Sequence, residues 1–240
     1  MTTSVCWQYL VKTRIKSQKN SIAPEFEPTD IKILPITWKE ASDFILLYEW
    51  VGNMGTSKYC FGLFLSGYLA SAVCYGPLIA TSHYSAILGT ELSKSVMQLC
   101  RGASTFWAPK WASSKLISRS LKLLRQTFNT TAVFAYADPD AGEIGTIYQA
   151  CNAYYIGDTS PGRGKKYIIN GHVYDPRKVV QKFGSRAHDH ILKIDAEYKT
   201  IPIKPKHRYV FVIVNGRERK DILNRIIPLV REYPKRLLTT

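Results

Sequence analysis

The sequence predicts an α/β protein: a central mixed sheet flanked by helices, with a basic C-terminal α/β extension. Three observations carry this expectation. From residue 31 to 157 the pattern runs strand, helix, hairpin, strand, helix, strand, helix, strand, an order that needs both hairpin and crossover links. Hydrophobic residues make up 45% of the chain and charged residues 21%, enough apolar material for a sizeable core and too much for wholesale disorder. The 33 Lys+Arg against 18 Asp+Glu leave a net charge of +15, of which +12 falls between Ser160 and Thr240.

The elements follow in order. Residues 1–30 mix basic and polar side chains with Pro24 and Pro28 and read as a loosely held N-terminal arm. Ile31 to Ile36 is a short strand, and Thr37 can cap a helix from Trp38 to about Trp50 with Ala41, Phe44, Ile45, Leu47 and Tyr48 on one side. Gly52, Asn53 and Gly55 mark a loop. Tyr59–Leu65 and Tyr68–Tyr75 are β-rich runs joined by Ser66-Gly67, a hairpin signature. Residues 79–92 read as a long polar connection holding His83 and Tyr84, and Ser95–Cys100 as the next strand. Pro109 suits the first turn of a helix reaching about Gln126. Ala132–Tyr136 is a strand, Asp138-Pro139-Asp140-Ala141-Gly142 a turn, Glu143 to Asn152 a helix, and Tyr154–Gly157 the start of another strand. Beyond lie Lys166–Val173 (strand), Asp175–Phe183 (helix), His207–Val214 (strand) and Lys220–Arg231 (helix). The expected organisation is therefore an arm (1–30), an α/β core (31–165) and a basic extension (166–240) packed on it.

Cys6, Cys60, Cys74, Cys100 and Cys151 are odd in number and form no C-x-x-C pair, which with no secretory leader points to a reducing cytoplasm. No apolar run approaches the ~20 residues needed to cross a bilayer, so no membrane partner is expected. The cation surplus, interleaved with tyrosines in one third of the chain, draws polyanions by counterion release and points to nucleic acid, which the family resemblance given below makes double-stranded DNA. Arg177, Lys178, Lys182, Arg186, Lys206 and Arg208 are the candidate DNA contacts. A generic basic surface is the plain alternative, and a homodimer is left open.

Three constellations can carry chemistry. At the Cys100–Lys115 junction a helix N-terminus with Arg101, Lys110, Ser113, Ser114 and Lys115 can cradle a pyrophosphate or acyl carrier, or can be an ordinary amphipathic helix. Asp138 at a strand end and Tyr148 on the next helix fit a proton acceptor and a proton donor. Their plain readings are a turn-forming Asp before Pro139 and a core phenol with a tethered hydroxyl. His188-x-His190 lacks the third ligand that a metal site needs. Trp50, Trp107, Trp111, Tyr154 and Tyr155 are candidates to stack an extruded base, provided they share one cleft.

The strand–helix–strand–helix–strand core, with a tyrosine in Ile147-Tyr148-Gln149-Ala150-Cys151-Asn152, is similar to the GNAT acyltransferases. Tyr136-Ala137-Asp138 followed by Gly142-Glu143-Ile144-Gly145-Thr146-Ile147-Tyr148 resembles, more specifically, the Mom group of phage DNA-modification proteins. So do Lys110–Leu116, Tyr174-Asp175-Pro176-Arg177, Phe183-Gly184-Ser185, Lys206–Val210 and Tyr233-Pro234-Lys235-Arg236. The likeness runs from about residue 35 to 236.

The resemblance implies a GNAT-like fold, an acyl-CoA or other activated donor, and conversion of adenine in DNA to an N6-carbamoylmethyl-type base that hides the DNA from host restriction. It points to Asp138 and Tyr148 as important. It also implies iron and a His-Tyr pair ending the first helix. This chain reads Glu49-Trp50 there, a carboxylate in place of an imidazole, so the metal is left unassigned and Glu49 joins the catalytic candidates. The alternatives are acylation of a protein, aminoacyl or small-molecule amine, and a DNA-binding module without catalysis.

Overall fold

A computed structural model of the chain describes residues 6–18, 22–27, 29–78, 81–160, 164–174 and 176–236, with backbone only at 81–83 and 177. In chain order the elements are α1 (Trp7–Lys16), β1 (Ile31–Ile36), α2 (Trp38–Tyr48), β2 (Tyr59–Leu65), β3 (Tyr68–Pro77), α3 (Thr81–Leu88) and α4 (Thr90–Ser93). Then come β4 (Val96–Ser104), α5 (Ala112–Phe128), β5 (Ala132–Ala137), a 3-10 turn (Pro139–Ala141), α6 (Thr146–Gln149) and β6 (Tyr154–Asp158). The rest is β7 (Lys165–Ile169), β8 (His172–Tyr174), α7 (Pro176–Phe183), α8 (His188–Leu192), β9 (Lys199–Pro202), β10 (His207–Val212) and α9 (Gly216–Ile226).

Seven strands form the main sheet in the order β1-β2-β3-β4-β5-β10-β6, and β8-β7-β9 form a second, smaller sheet. Among the described residues β4 and β5 are the one parallel pair, and all other pairings are antiparallel. The mixed sheet follows from the links. Ser66-Gly67 turns β2 back into β3, whereas α5 carries the chain across from β4 so that β5 runs parallel to it.

Alternation along the strands builds two cores. Val133, Ala135, Ala137, Tyr209 and Phe211 face α5 with its Leu116, Leu121 and Leu124. Ala132, Phe134 and Val210 face the other way, toward Tyr84 and Leu88 of α3 and Ile222 and Ile226 of α9. α2 covers Cys60, Ala72, Cys74 and Ala103 through Ala41, Phe44 and Ile45. It starts at the expected cap: the Thr37 hydroxyl accepts from Glu40 N, and the Glu40 carboxylate accepts from Thr37 N. A fourth cluster of Ile169, Val179 and Ile191 holds the small sheet to α7 and α8.

Four expectations are corrected. Residues 7–16 of the arm form a helix, α1, whose Ile15 is buried and which contacts α2. The stretch read as a polar connection contains α3 and α4, because Tyr84 and Leu88 supply an apolar face that Phe134 needs covered. The helix expected from Glu143 to Asn152 shrinks to Thr146–Gln149 between Gly145 and the left-handed Asn152 (φ 57). Finally, the main sheet does not respect a boundary at 165, since β10 is inserted between β5 and β6 and the C-terminal third completes the core instead of resting on it.

Candidate functional site

β4 and β5 pair over only three residues, Val96–Gln98 against Ala132–Phe134, and then part. Beyond that point β4 continues beside β3 to Ser104, while β5 continues beside β10 to Ala137. The opening leads into a cavity of about 1430 Å³ lined by Glu49, Arg101, Ser113, Asp138, Glu143, Tyr148 and basic residues of the C-terminal third. Strand ends beside helix starts are where α/β folds place ligands.

Glu49 closes α2 and turns inward, with its side chain 10% exposed. Its Oε2 is buried and has no hydrogen-bond partner, although Nε of Arg101 lies 3.4 Å away. The Arg101 Nε, the nitrogen near Glu49, is committed elsewhere: it donates to Asn53 O at 2.6 Å, and the two terminal nitrogens each donate once, to Cys100 O and Asn53 Oδ1. Arg101 thus brings charge to Glu49 without a hydrogen bond to that oxygen. Burial pushes the Glu49 carboxyl up to about 8, with Arg101 opposing and the Glu143 carboxylate assisting.

Glu143 sits behind it. Its Oε1 accepts from the Trp50 indole N–H at 2.7 Å and its Oε2 from Asp138 N at 3.1 Å. Burial still raises this carboxyl above its ordinary range. Tyr148 hangs from α6 with its hydroxyl donating to Tyr136 O over 3.4 Å, a long and therefore loose bond. Burial, then the charges of Glu143 and Glu49, push the Tyr148 phenol up, so it stays protonated and can donate.

α6 is set in place by Gly145, whose φ of +69° and crowding by the Tyr209 ring leave no room for a side chain. The Tyr209 hydroxyl donates to Ile144 O at 2.6 Å from the same side.

Asp138 lines the same cavity as Tyr148, but its oxygens are engaged. Oδ1 accepts from Asp140 N at 3.0 Å and Oδ2 pairs with Lys206 Nζ at 3.0 Å. The expected turn role and the expected site position therefore coincide, and Glu49 presents the carboxylate oxygen without a donor.

Of the expected cradle, Arg101 and Ser113 line the cavity, whereas Lys110, Ser114 and Lys115 do not. Lys115 lies over the Trp111 ring at 5.0 Å, and the Ser114 hydroxyl donates back to Trp111 O. The start of α5 itself has no side-chain cap, which leaves its positive end for a ligand.

Among the expected DNA contacts, Lys178, Arg186 and Lys206 line the cavity wall with Lys166. Lys182 is exposed but turned onto Tyr174, its Nζ donating to the phenol oxygen at 2.8 Å. Arg208 corrects the expectation: it is 8% exposed, donates to Ile156 O and lies beside the Tyr84, Tyr136 and Asp158 side chains, which leaves it no surface for a phosphate. The side chain of Arg177 lies outside the described residues.

Among the aromatic candidates only Trp50 lines the cavity. Trp107 packs on Phe26, Trp111 under Lys115, and Tyr155 on Tyr209. Among the described residues no group of three His, Cys, Asp or Glu side chains can hold a metal ion. His188 Nδ1 is bonded to the Tyr198 hydroxyl, and His190 Nε2 donates to Phe183 O. Iron therefore finds no set of three such ligands among the described residues.

Sequence reading passed over Glu143 and Lys12. Glu143 follows Asp138 by five residues across a 3-10 turn that bends the carboxylate back to the Asp138 N–H, and no local pattern announces this. Lys12 of α1 donates to Ser104 Oγ at 2.6 Å on the cavity wall, with its ammonium lowered by burial.

A model of the Mom protein family matches residues 30–235 of the chain. No curated protein matches it in sequence. Among solved structures, an N-acetyltransferase from Staphylococcus aureus Mu50 superposes with a TM-score of 0.43 at 9% identity, over 78% of this chain and 100% of that one. A Bacillus subtilis acetyltransferase in complex with CoA gives 0.41 at 10% identity, over 77% and 98%. A spermidine/spermine N-acetyltransferase from Vibrio cholerae gives 0.44 at 10% identity, over 81% and 96%.

Proposed function

The chain belongs to the Mom protein family, and from that premise we propose that it modifies adenine in double-stranded DNA, adding a carbamoylmethyl-type group at the exocyclic N6 amine so that host restriction nucleases no longer recognise the site. The observation that supports this reading best is convergence. Lys178, Arg186 and Lys206, from the basic third, line the same cavity as Glu49, Asp138 and Tyr148.

In this reading the basic wall neutralises phosphates and the target base leaves the stack, since its amine cannot be reached inside a duplex. Trp50, locked by its bond to Glu143, gives the base a flat surface. The N6 amine is conjugated and a poor nucleophile, so orientation and proton removal carry much of the acceleration. Glu49 Oε2 accepts one amine N–H, which satisfies the buried acceptor.

An acyl-CoA or other activated donor supplies an electrophilic carbon and a leaving group. The uncapped start of α5, with Ser113 and Arg101 nearby, fits its phosphate part, and the parting of β4 from β5 leaves a passage for an elongated carrier. Tyr148 holds its proton at the phenol oxygen, ready for the departing atom. Asp138 fixes Lys206 at the rim and the 3-10 turn beneath it.

Mass spectrometry of nucleosides from DNA of cells expressing the chain tests acceptor and added group together. A new adenine-derived nucleoside, absent with Tyr148→Phe, is the expected result. Unmodified DNA accompanied by an acylated protein or small amine would replace this reading with an ordinary N-acyltransferase.

A further inference from the structure

Two carboxylates share the floor of the cavity, and they are treated differently by their surroundings. Both oxygens of Glu143 accept N–H donors, from Trp50 at 2.7 Å and Asp138 at 3.1 Å. Glu49 has a buried oxygen with no donor at all. Such an atom destabilises the fold unless a ligand or a proton serves it.

We infer that Glu143 is a positioning residue: it holds Trp50 against the acceptor base and places a second, donor-satisfied carboxyl group in the same cavity as Glu49, so that the proton the pair carries rests on Glu49. The inference rests on the adenine-modification reading for its acceptor, but the coupling between the two carboxylates does not.

Glu49 meets Arg101 and the Gly102 N–H from β4, and Glu143 from the loop before α6. Glu143 meets Asp138 and Lys206 in addition to Trp50. Tyr148 senses both carboxylates from α6. Arg101 alone pulls Glu49 toward ionisation by charge, and its Nε–H and one N–H of each terminal nitrogen donate to Asn53 and Cys100. Both Glu143 oxygens accept N–H donors, which favours its ionised form, whereas Glu49 Oε2 accepts none, so Glu49 is the member of the pair that takes the proton. Glu49 first gives its proton to solvent through the open mouth of the cavity, and in that ionised form Oε2 accepts the amine N–H. As the amine lone pair enters the new C–N bond, the nitrogen passes one proton to Glu49. The bond from the donor's carbon to its leaving atom breaks in the same step, and its electron pair departs with that atom, which takes the Tyr148 proton.

The coupling is measured without any substrate. In the full chain labelled with carboxyl-13C glutamate, the Glu49 resonance, assigned by its loss in Glu49→Gln, is titrated in wild type, Glu143→Gln and Glu143→Asp. Removing the second charge lowers the midpoint of Glu49 by about one pH unit or more. Glu143→Asp keeps the charge and keeps the midpoint high even where its fold is weakened. A midpoint unmoved in Glu143→Gln, or moved equally in Glu143→Asp, overturns the inference. If the midpoint moves but no modified adenine is found, the carboxylate pair stands and the adenine reading falls. Modified adenine with an unmoved midpoint sinks the pair alone.

Discussion

Arg101 Nε stands 3.4 Å from Glu49 Oε2 and donates instead to Asn53 O, so the two residues form an ion pair in which the buried oxygen receives charge but no hydrogen bond. That arrangement leaves Glu49 the unsatisfied acceptor of the cavity, and it sets how stability depends on pH. The folded-state value of about 8 lies above the ordinary 4.5. The sign for a raised carboxyl is loss of stability as pH climbs from about 4.5 through about 8, because the folded protein keeps a proton that the unfolded chain releases. Glu49→Gln removes this slope. Chemical denaturation at pH 6 and pH 9 is expected to show the wild type weakening by more than the variant, and parallel losses would contradict the assignment.

Tyr148→Phe deletes a hydroxyl held only by a 3.4 Å bond to Tyr136 O. The cost in stability is about 1 kcal/mol or less. The cost in turnover is expected to be about 100-fold or more, the range of a lost proton donor. DNA binding measured by fluorescence anisotropy should be unchanged.

Asp138→Asn keeps an acceptor for Asp140 N and loses the ionic partner of Lys206. It is expected to reduce activity by less than tenfold and to act mainly on KM for DNA, unlike Glu49→Gln, which should lower kcat. A kcat collapse in Asp138→Asn equal to that of Glu49→Gln would return the proton-accepting role to Asp138.

Lys178→Glu and Arg186→Glu change the cavity rim and should each lower the salt dependence of DNA binding, the slope falling by about 1 per neutralised phosphate contact or more. Lys182→Glu, folded onto Tyr174, should do less. Arg208→Ala should instead destabilise the fold by about 3 kcal/mol, since it empties a buried polar site between β10 and β6. Thermal denaturation separates it from the binding variants.

Much of the architecture was legible because local chemistry decides it. Ser66-Gly67 announces the β2–β3 hairpin, Thr37 with Glu40 announces α2, and Pro109 precedes α5 by three residues. What stayed hidden depends on distant partners. α3 exists because Phe134, about fifty positions along, needs Tyr84 and Leu88 as cover. Asn170-Gly171, with φ of +48° and +75°, turns β7 into β8, a strong hairpin signal that was absorbed into one long strand because hydrophobic residues continue on both sides. In the site, Tyr148 and Asp138 were readable as residues worth weighing. The orphaned oxygen of Glu49 and the two engaged oxygens of Glu143 were not, since both are properties of β4, the loop after α2 and the turn after β5 taken together.

The insertion of β10 between β5 and β6 has a consequence for how the polypeptide matures. Neither neighbour can satisfy its inner row of amides and carbonyls until residues 207–212 arrive, long after both have left the ribosome. Until then the nascent protein carries two raw sheet margins, which chaperones or wayward strands are apt to occupy. A premature stop before that segment would accordingly yield an adhesive fragment, not a smaller working protein.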